Sequence, residues 1–412
     1  MRRFVRLIFI FLLTVAAIWL SVSGWHAFRV WSLATECGTY ERSGNWVRLM
    51  RSAREWMRMS PESREARQAG AKAGRVLRDV NAVAEFLKDF PRALPEDVPW
   101  LSMLADLEFG PLNQPLEGSK ICQEILRIIP SHRESHHRLV YFYAMTQQQV
   151  AMQSQIETAM NSNCELPESY VYGFLGSGLR LQNGSEVARR WLAGGETSEL
   201  LLVALALHIS QSLNGAIPTV DDATSENLRL QQKERETALA ELLVRYPDNQ
   251  ELLAYLLLDA METGMAARAG ELLVRAPPSA DNDFRFWHVR GWVFAHVQEY
   301  DEAQLSYLRA IKLNPLDWRT RFHMGELQRV RGELKDSIAT NQLAVLGRSL
   351  EKDLLEQPDM RSIPIPIYQR LSEYCQQCGS HKMAGFISRF LSKSDVDSPE
   401  ESNQRSLLLQ PE

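Results

Sequence analysis

Cys375-Gln376-Gln377-Cys378, with His381 close behind, is the stretch of this chain whose residue types come nearest to reactive chemistry. A redox C-x-x-C needs a strand-to-helix setting that lowers one thiol's pKa, and a structural zinc site needs four ligands, usually from two such pairs. The chain has one pair, set in helix-patterned sequence, so core packing is the first reading and a disulfide, redox or metal role the weaker alternative. His132, His136 and His137 form a second cluster, and His132 and His136 stand at the four-residue spacing that places two ligands on one helix face. The order His132-Arg133-Glu134-Ser135-His136 is not H-E-x-x-H, and a polar helix start explains it. Gly173-Phe174-Leu175-Gly176-Ser177-Gly178 fits neither phosphate-binding glycine pattern and follows no strand-like run, so small residues at a helix contact account for it. No G-x-S-x-G setting for a nucleophile appears. These residues point to a non-enzyme without cofactor or metal.

The elements that would position any such residues are helices. Phe284–Asp317 is 34 residues long and carries Trp287-x2-Arg290-Gly291-x2-Phe294, then Ala303-x3-Tyr307-x2-Ala310, then Pro315. The pattern calls for a packed antiparallel helix pair. Gly291 and Ala303 are small where the helices approach, Trp287, Phe294 and Tyr307 fill the space around them, and Pro315 ends the second helix. Order and spacing resemble the tetratricopeptide repeat, with Arg290 in place of its leucine. Such a pair cannot bury its apolar faces alone and implies neighbours of its own kind. Residues 318–351 and 365–392 repeat the offsets, the first through Met324-Gly325, Ser337 and Ala344, the second through Tyr368, Leu371, Ser372, Cys375 and Ala384.

Upstream, Pro61, Pro91, Pro130, Pro167, Pro247 and Pro277 follow apolar, helix-patterned runs at intervals near one repeat or two. The expected architecture is an all-α solenoid of tetratricopeptide-like helix-turn-helix repeats. Degenerate repeats occupy 29–210, a loop 211–227, clearer repeats 228–393 and a polar, acidic tail 394–412.

Net charge of -5 gives no general case for nucleic acid, and five scattered cysteines form no disulfide framework. Residues 7–28 lack Lys, Arg, Asp and Glu and follow Arg2, Arg3 and Arg6. This predicts a transmembrane helix or signal anchor within 1–28, with the body outside the cytoplasm, the alternative being a cleaved signal peptide and a secreted or periplasmic body. Membrane-anchored proteins of the lipopolysaccharide-assembly type look similar in having such a span and these repeats, but carry two C-x-x-C pairs.

The resemblance implies a concave groove, lined by the first helix of each pair, that holds a partner's peptide or helix. Arg285, His288, Trp292, Arg319, His323, Arg329 and Arg370 are then the groove candidates, with Trp287, Gly291, Phe294, Ala303, Tyr307, Ala310 and Pro315 as packing residues. The expected function is a membrane-tethered scaffold or assembly protein for unidentified protein partners; the alternative is a regulatory or positioning subunit of an envelope enzyme complex.

Overall fold

Local sequence sets the ends of several helices. Asn45, Ser63, Asp79, Asn249, Asp283 and Asp317 each accept a backbone N–H of the following turn, the cap that Asn, Ser and Asp provide. The turns inside seven of the pairs each place one residue at positive φ. Gly44, Gly264, Gly332 and Gly379 take it without strain, whereas Arg78, Gln147 and Gln298 take it at a cost. The computed structural model describes residues 23–181, 183–195, 198–213, 222–360 and 362–394, and contains no strand among them.

The chain divides into two compact units, Met1–Ser135 and His136–Glu412. The first holds α1 (residues 23–42), α2 (Trp46–Met59), α3 (Arg64–Val76), α4 (Val80–Leu87), α5 (Val98–Phe109) and α6 (Pro115–Ile128). Each packs on the next, around Leu49, Ala53, Ala66, Phe86, Leu101 and Ile125, all fully buried. Arg54 bonds Glu85, Arg64 bonds Asp97 and Arg92 bonds Glu124, at sequence separations of 31, 33 and 32. Those separations are one repeat, so the polar ties run from each pair to its neighbour.

The second unit takes α7 (Arg133–Met145), which opens just before the boundary, then α8 (Gln149–Asn161), α9 (Pro167–Leu175), α10 (Gly184–Ala193), α11 (Glu199–Leu213) and α12 (Asp222–Arg245). It continues with α13 (Gln250–Glu262), α14 (Ala266–Val274), α15 (Phe284–His296), α16 (Tyr300–Leu313), α17 (Trp318–Val330), α18 (Leu334–Leu355), α19 (Ile365–Gln377) and α20 (His381–Ser394). Helix α12 takes in residues 222–227 of the expected loop.

One register governs the pairs. A Cβ on Gly291 would lie 2.6 Å from the Tyr307 ring, and one on Gly325 would lie 2.3 Å from Asn341. Sixteen residues again separate Ser372 from Ser388, whose hydroxyls meet at 3.1 Å. Gly70 and Phe86 repeat the contact in the first unit, at 2.3 Å.

The second unit also folds back on itself. Helix α9 packs on α20, and Tyr170, Val171, Phe174 and Leu175 share one core with Leu350, Leu354, Tyr368, Tyr374 and Phe386. The Phe174 and Tyr374 rings meet edge-on at 5.6 Å, and the Tyr170 hydroxyl, which donates to Glu165 at 3.0 Å, lies 3.5 Å from the Phe386 carbonyl.

No helix among the described residues is long and apolar enough to cross a membrane. This overturns the expected placement as a single-pass membrane protein with an extracytoplasmic body. Helix α1 carries Arg29, Glu36 and Glu41 and buries Leu33 and Cys37 in protein core. The earlier part of the anticipated span, residues 7–22, lies outside the described residues, as does the tail from 395.

Candidate functional site

Cys375 and Cys378 sit at the end of α19 inside the apolar core of the second unit, at 0% and 9% exposure, both as free thiols. Burial pushes the Cys375 thiol up to about 12, with Cys378 beside it adding to the rise. Burial also raises Cys378, outweighing Arg321 nearby. Thiols held protonated in this way are poor nucleophiles. His381 opens α20 on the surface.

The histidine cluster is distributed among separate partners. The His132 ring bonds the Ser135 hydroxyl at 3.0 Å, buried His136 bonds Gln155 at 2.6 Å, and His137 lies 3.5 Å from Glu168.

The glycine run has a packing role. Gly176 adopts φ +49, and a Cβ there would lie 2.9 Å from Gln149. A Cβ on Gly178 would lie 2.3 Å from Glu351 Oε1. Oε1 accepts from Arg319 at 2.9 Å, while Oε2 accepts from the Trp318 indole at 2.9 Å. The turn after α9 therefore seats against the α17–α18 pair, with Asn314 and Leu316 lining the same small pocket.

That seating bears on the seven groove candidates. Arg285 and His288 are 5% and 1% exposed and belong to the interior, contrary to expectation. Arg285 is drawn in by carboxylates: its Nε donates to Asp283 at 2.9 Å and its Nη2 to Glu251 at 2.7 Å. The two acids raise its pKa against the desolvation that would lower it. Burial drives Glu251 up, whereas Asp283 is held low because Arg285 and its hydrogen bonds outweigh burial. His288 bonds His323 at 2.8 Å. Trp292, Arg319 and His323 are half-buried. Arg329 and Arg370 stand exposed, paired with Glu326 and Asp353.

Among the packing residues, Ala303, Tyr307 and Ala310 are fully buried, as the repeat pattern requires. Gly291 is buried, while Trp287, Phe294 and Pro315 are half-buried. Arg290, the departure from the leucine of the pattern, lays its guanidinium 4.4 Å from the centre of the Trp287 ring.

A second concave feature, which sequence periodicity does not mark, lies in the first unit. A cleft of about 450 Å³ opens between α1, α3 and α5, walled by Trp46, Val76, Trp100 and Met103, with Lys72 and Arg75 on its rim. Lys72 Nζ meets Glu41 at 2.8 Å. The available signal was the placement of Trp100 and Trp46 beside the first helices of neighbouring pairs, which periodicity alone assigns to the core.

No family model and no curated protein matches the chain. Among solved structures it is similar to the human IFIT1 dimer with m7Gppp-AAAA, at 14% identity over 86% of this chain and 69% of that one, with a TM-score of 0.29. It is also similar to a tetratricopeptide repeat protein from Parabacteroides merdae, at 14% identity over 71% and 98% of the two chains, with a TM-score of 0.25. Independently of these distant likenesses, Gly291, Gly325, Ser372 and Gly70 share one register, each meeting a residue sixteen positions later, and the described residues form helix pairs without strands.

Proposed function

We propose that this chain is a non-catalytic scaffold that binds protein partners. The observation that supports the reading is how its charged and titratable groups are used. Arg285, His288, Arg319 and Glu351 in one unit, and Arg54, Arg64 and Arg92 in the other, bond residues about one repeat away. They fix helix pairs relative to one another, which is what a rigid binding surface requires.

The surface around Arg319 is covered by the chain's own Gly176–Gly178 turn. Partners of that unit are therefore met on its open surfaces, where Arg329 and Arg370 remain candidates. The test is affinity purification of the tagged full chain after chemical cross-linking. A protein partner at fixed stoichiometry is expected. Recovery of the chain alone, with intrinsic turnover of a small-molecule substrate, overturns the proposal.

A further inference from the structure

We infer that Arg290, Arg309 and Lys312, gathered around the Trp287 ring, bind a phosphate monoester carried by a protein partner. This rests on the scaffold reading and gives it a site. Two arginines from different helices converge on one indole. The Arg290 guanidinium, on α15, lies 4.4 Å from the centre of the Trp287 ring, and that of Arg309, on α16, lies 6.0 Å from it. The two like charges are therefore no more than about 10 Å apart, close enough to repel. Exposed Lys312, one turn beyond Arg309 on α16, adds a third cation.

No acid answers these charges. In the same unit Arg285, Arg319, Arg329, Arg331 and Arg370 each bond a carboxylate, whereas Arg290, Arg309 and Lys312 pair with none among the described residues. The positions three and four residues from either arginine, where a helix would supply a partner, carry no Asp or Glu. Asp281, whose backbone carbonyl accepts the Trp287 indole N–H at 3.0 Å, forms no ion pair with either arginine. Stacking on the indole uses the face of a guanidinium and leaves its N–H donors available.

The charges select the ligand. A phosphate monoester brings close to two negative charges and three acceptor oxygens, which two arginine forks and a lysine match, whereas a carboxylate leaves positive charge uncompensated. Trp287, Arg290 and Phe294 run along one side of α15, roughly opposite Arg285, His288 and Trp292 at about 100° per residue. The site therefore lies outside the groove that the repeat resemblance implies. A nucleic-acid strand fits less well, because tracking its backbone takes a row of cations, and Arg290 already stacks on the Trp287 ring that a base would need.

The experiment uses the full chain and a fluorescein-labelled twelve-residue peptide of Gly, Ala and Ser with one central phosphoserine. Comparison ligands are the same peptide unphosphorylated, the same peptide with Glu for phosphoserine, inorganic phosphate, and a labelled 5′-phosphorylated oligothymidylate. Fluorescence anisotropy should show binding of the phosphopeptide at least tenfold tighter than of the other two peptides. Arg290→Gln and Arg309→Gln should each weaken it at least tenfold, and Arg309→Lys, which keeps the charge and loses the fork, should fall between. Lys312 is exposed, so a several-fold loss in Lys312→Gln reports even where an arginine variant lowers the melting temperature. Equal binding of the three peptides, affinity unchanged in both Gln variants at the arginines, or tighter binding of the oligonucleotide overturns the inference. Inorganic phosphate that competes at the phosphopeptide's own concentration also overturns it, by making a free phosphate the occupant. Cellular partners that co-purify equally with wild type and Arg309→Gln, before and after phosphatase treatment, refute this site and leave the scaffold standing. Absence of partners from both refutes the scaffold itself.

Discussion

His288 on α15 and His323 on α17 share a hydrogen bond of 2.8 Å between Nε2 and Nδ1, across the junction of two helix pairs. Such a bond needs a neutral imidazole to accept, with an N–H of the other ring donating. Burial pushes His288 down to about 3, outweighing Asp317 at 3.8 Å, while His323 and Arg319 push it further the same way. Burial also lowers His323 against the pull of Asp317 and Glu326, and the Tyr307 ring packs on both histidines.

A base whose folded pKa is depressed leaves the unfolded chain to take the proton first. Its contribution is complete above about pH 6.5 and is lost as pH falls toward 3. Between pH 6.5 and 5 His288 should account for roughly 2 kcal/mol of lost stability. Carboxylates held low, such as Asp97 and Asp283, lose theirs only in more acid solution. Thermal melts across this range should show a flatter pH dependence in His288→Gln. An unchanged slope would remove the histidine pair as its origin.

Two helical glycines should respond to alanine with opposite signs. At Gly291 a Cβ would lie 2.6 Å from the Tyr307 ring and 3.1 Å from the Ala303 carbonyl, and Tyr307 is 1% exposed with nowhere to move. Gly291→Ala should cost about 1–3 kcal/mol by overpacking. Nothing lies within 4 Å of the corresponding Cβ at Gly270 in α14, so Gly270→Ala should add about 0.5–1 kcal/mol through helix propensity alone. Urea denaturation of both variants checks the pair. Equal effects would sink the packing argument.

Arg285 is held between two carboxylates that have little water to turn to. Asp283 is fully buried, and Glu251 also accepts the Gln149 backbone N–H at 3.2 Å, tying α8 to α13 and α15. Removing only the guanidinium, as in Arg285→Met, strands both acids and should cost about 3–5 kcal/mol. Asn at 283 can still cap α15, so adding Asp283→Asn and Glu251→Gln should restore much of the loss. A triple variant no more stable than Arg285→Met would show that lost packing, not stranded charge, sets the cost.

The helix pairs were legible wherever large and small residues alternate at the contact positions. Trp287, Gly291, Ala303 and Tyr307 announced the register, and Ser372 with Ala384 carried it through a copy that lacks the glycine. The Gly70–Phe86 contact follows the same rule but was hidden, because alanines occupy the neighbouring contact positions 66, 69 and 73. Helix position alone puts Arg285 in the groove, but the acids around it draw it into the interior. Asp283 two residues before, and Glu251 one repeat earlier, were the available signals. The packing of α9 on α19 and α20 joins residues some two hundred positions apart. It depends on complementary surfaces, which leave no periodic mark in the sequence.

That long-range closure can be tested at Gly178. Any side chain there meets Glu351, whose Oε1 and Oε2 are already engaged by Arg319 and Trp318. Glu351 is buried in place and cannot swing away without losing both donors. Gly178→Val should therefore push the Gly176–Gly178 turn off α18 and destabilise the second unit by about 1–3 kcal/mol. Hydrogen exchange gives the local readout: amides of α9 and α20 should exchange faster, while those of α3 and α4, in the other unit, keep their rates. Trp318, released from Glu351, should also change its fluorescence. Uniformly faster exchange over both units would mean general unfolding, and unchanged exchange in α9 would show that the turn does not hold the closure.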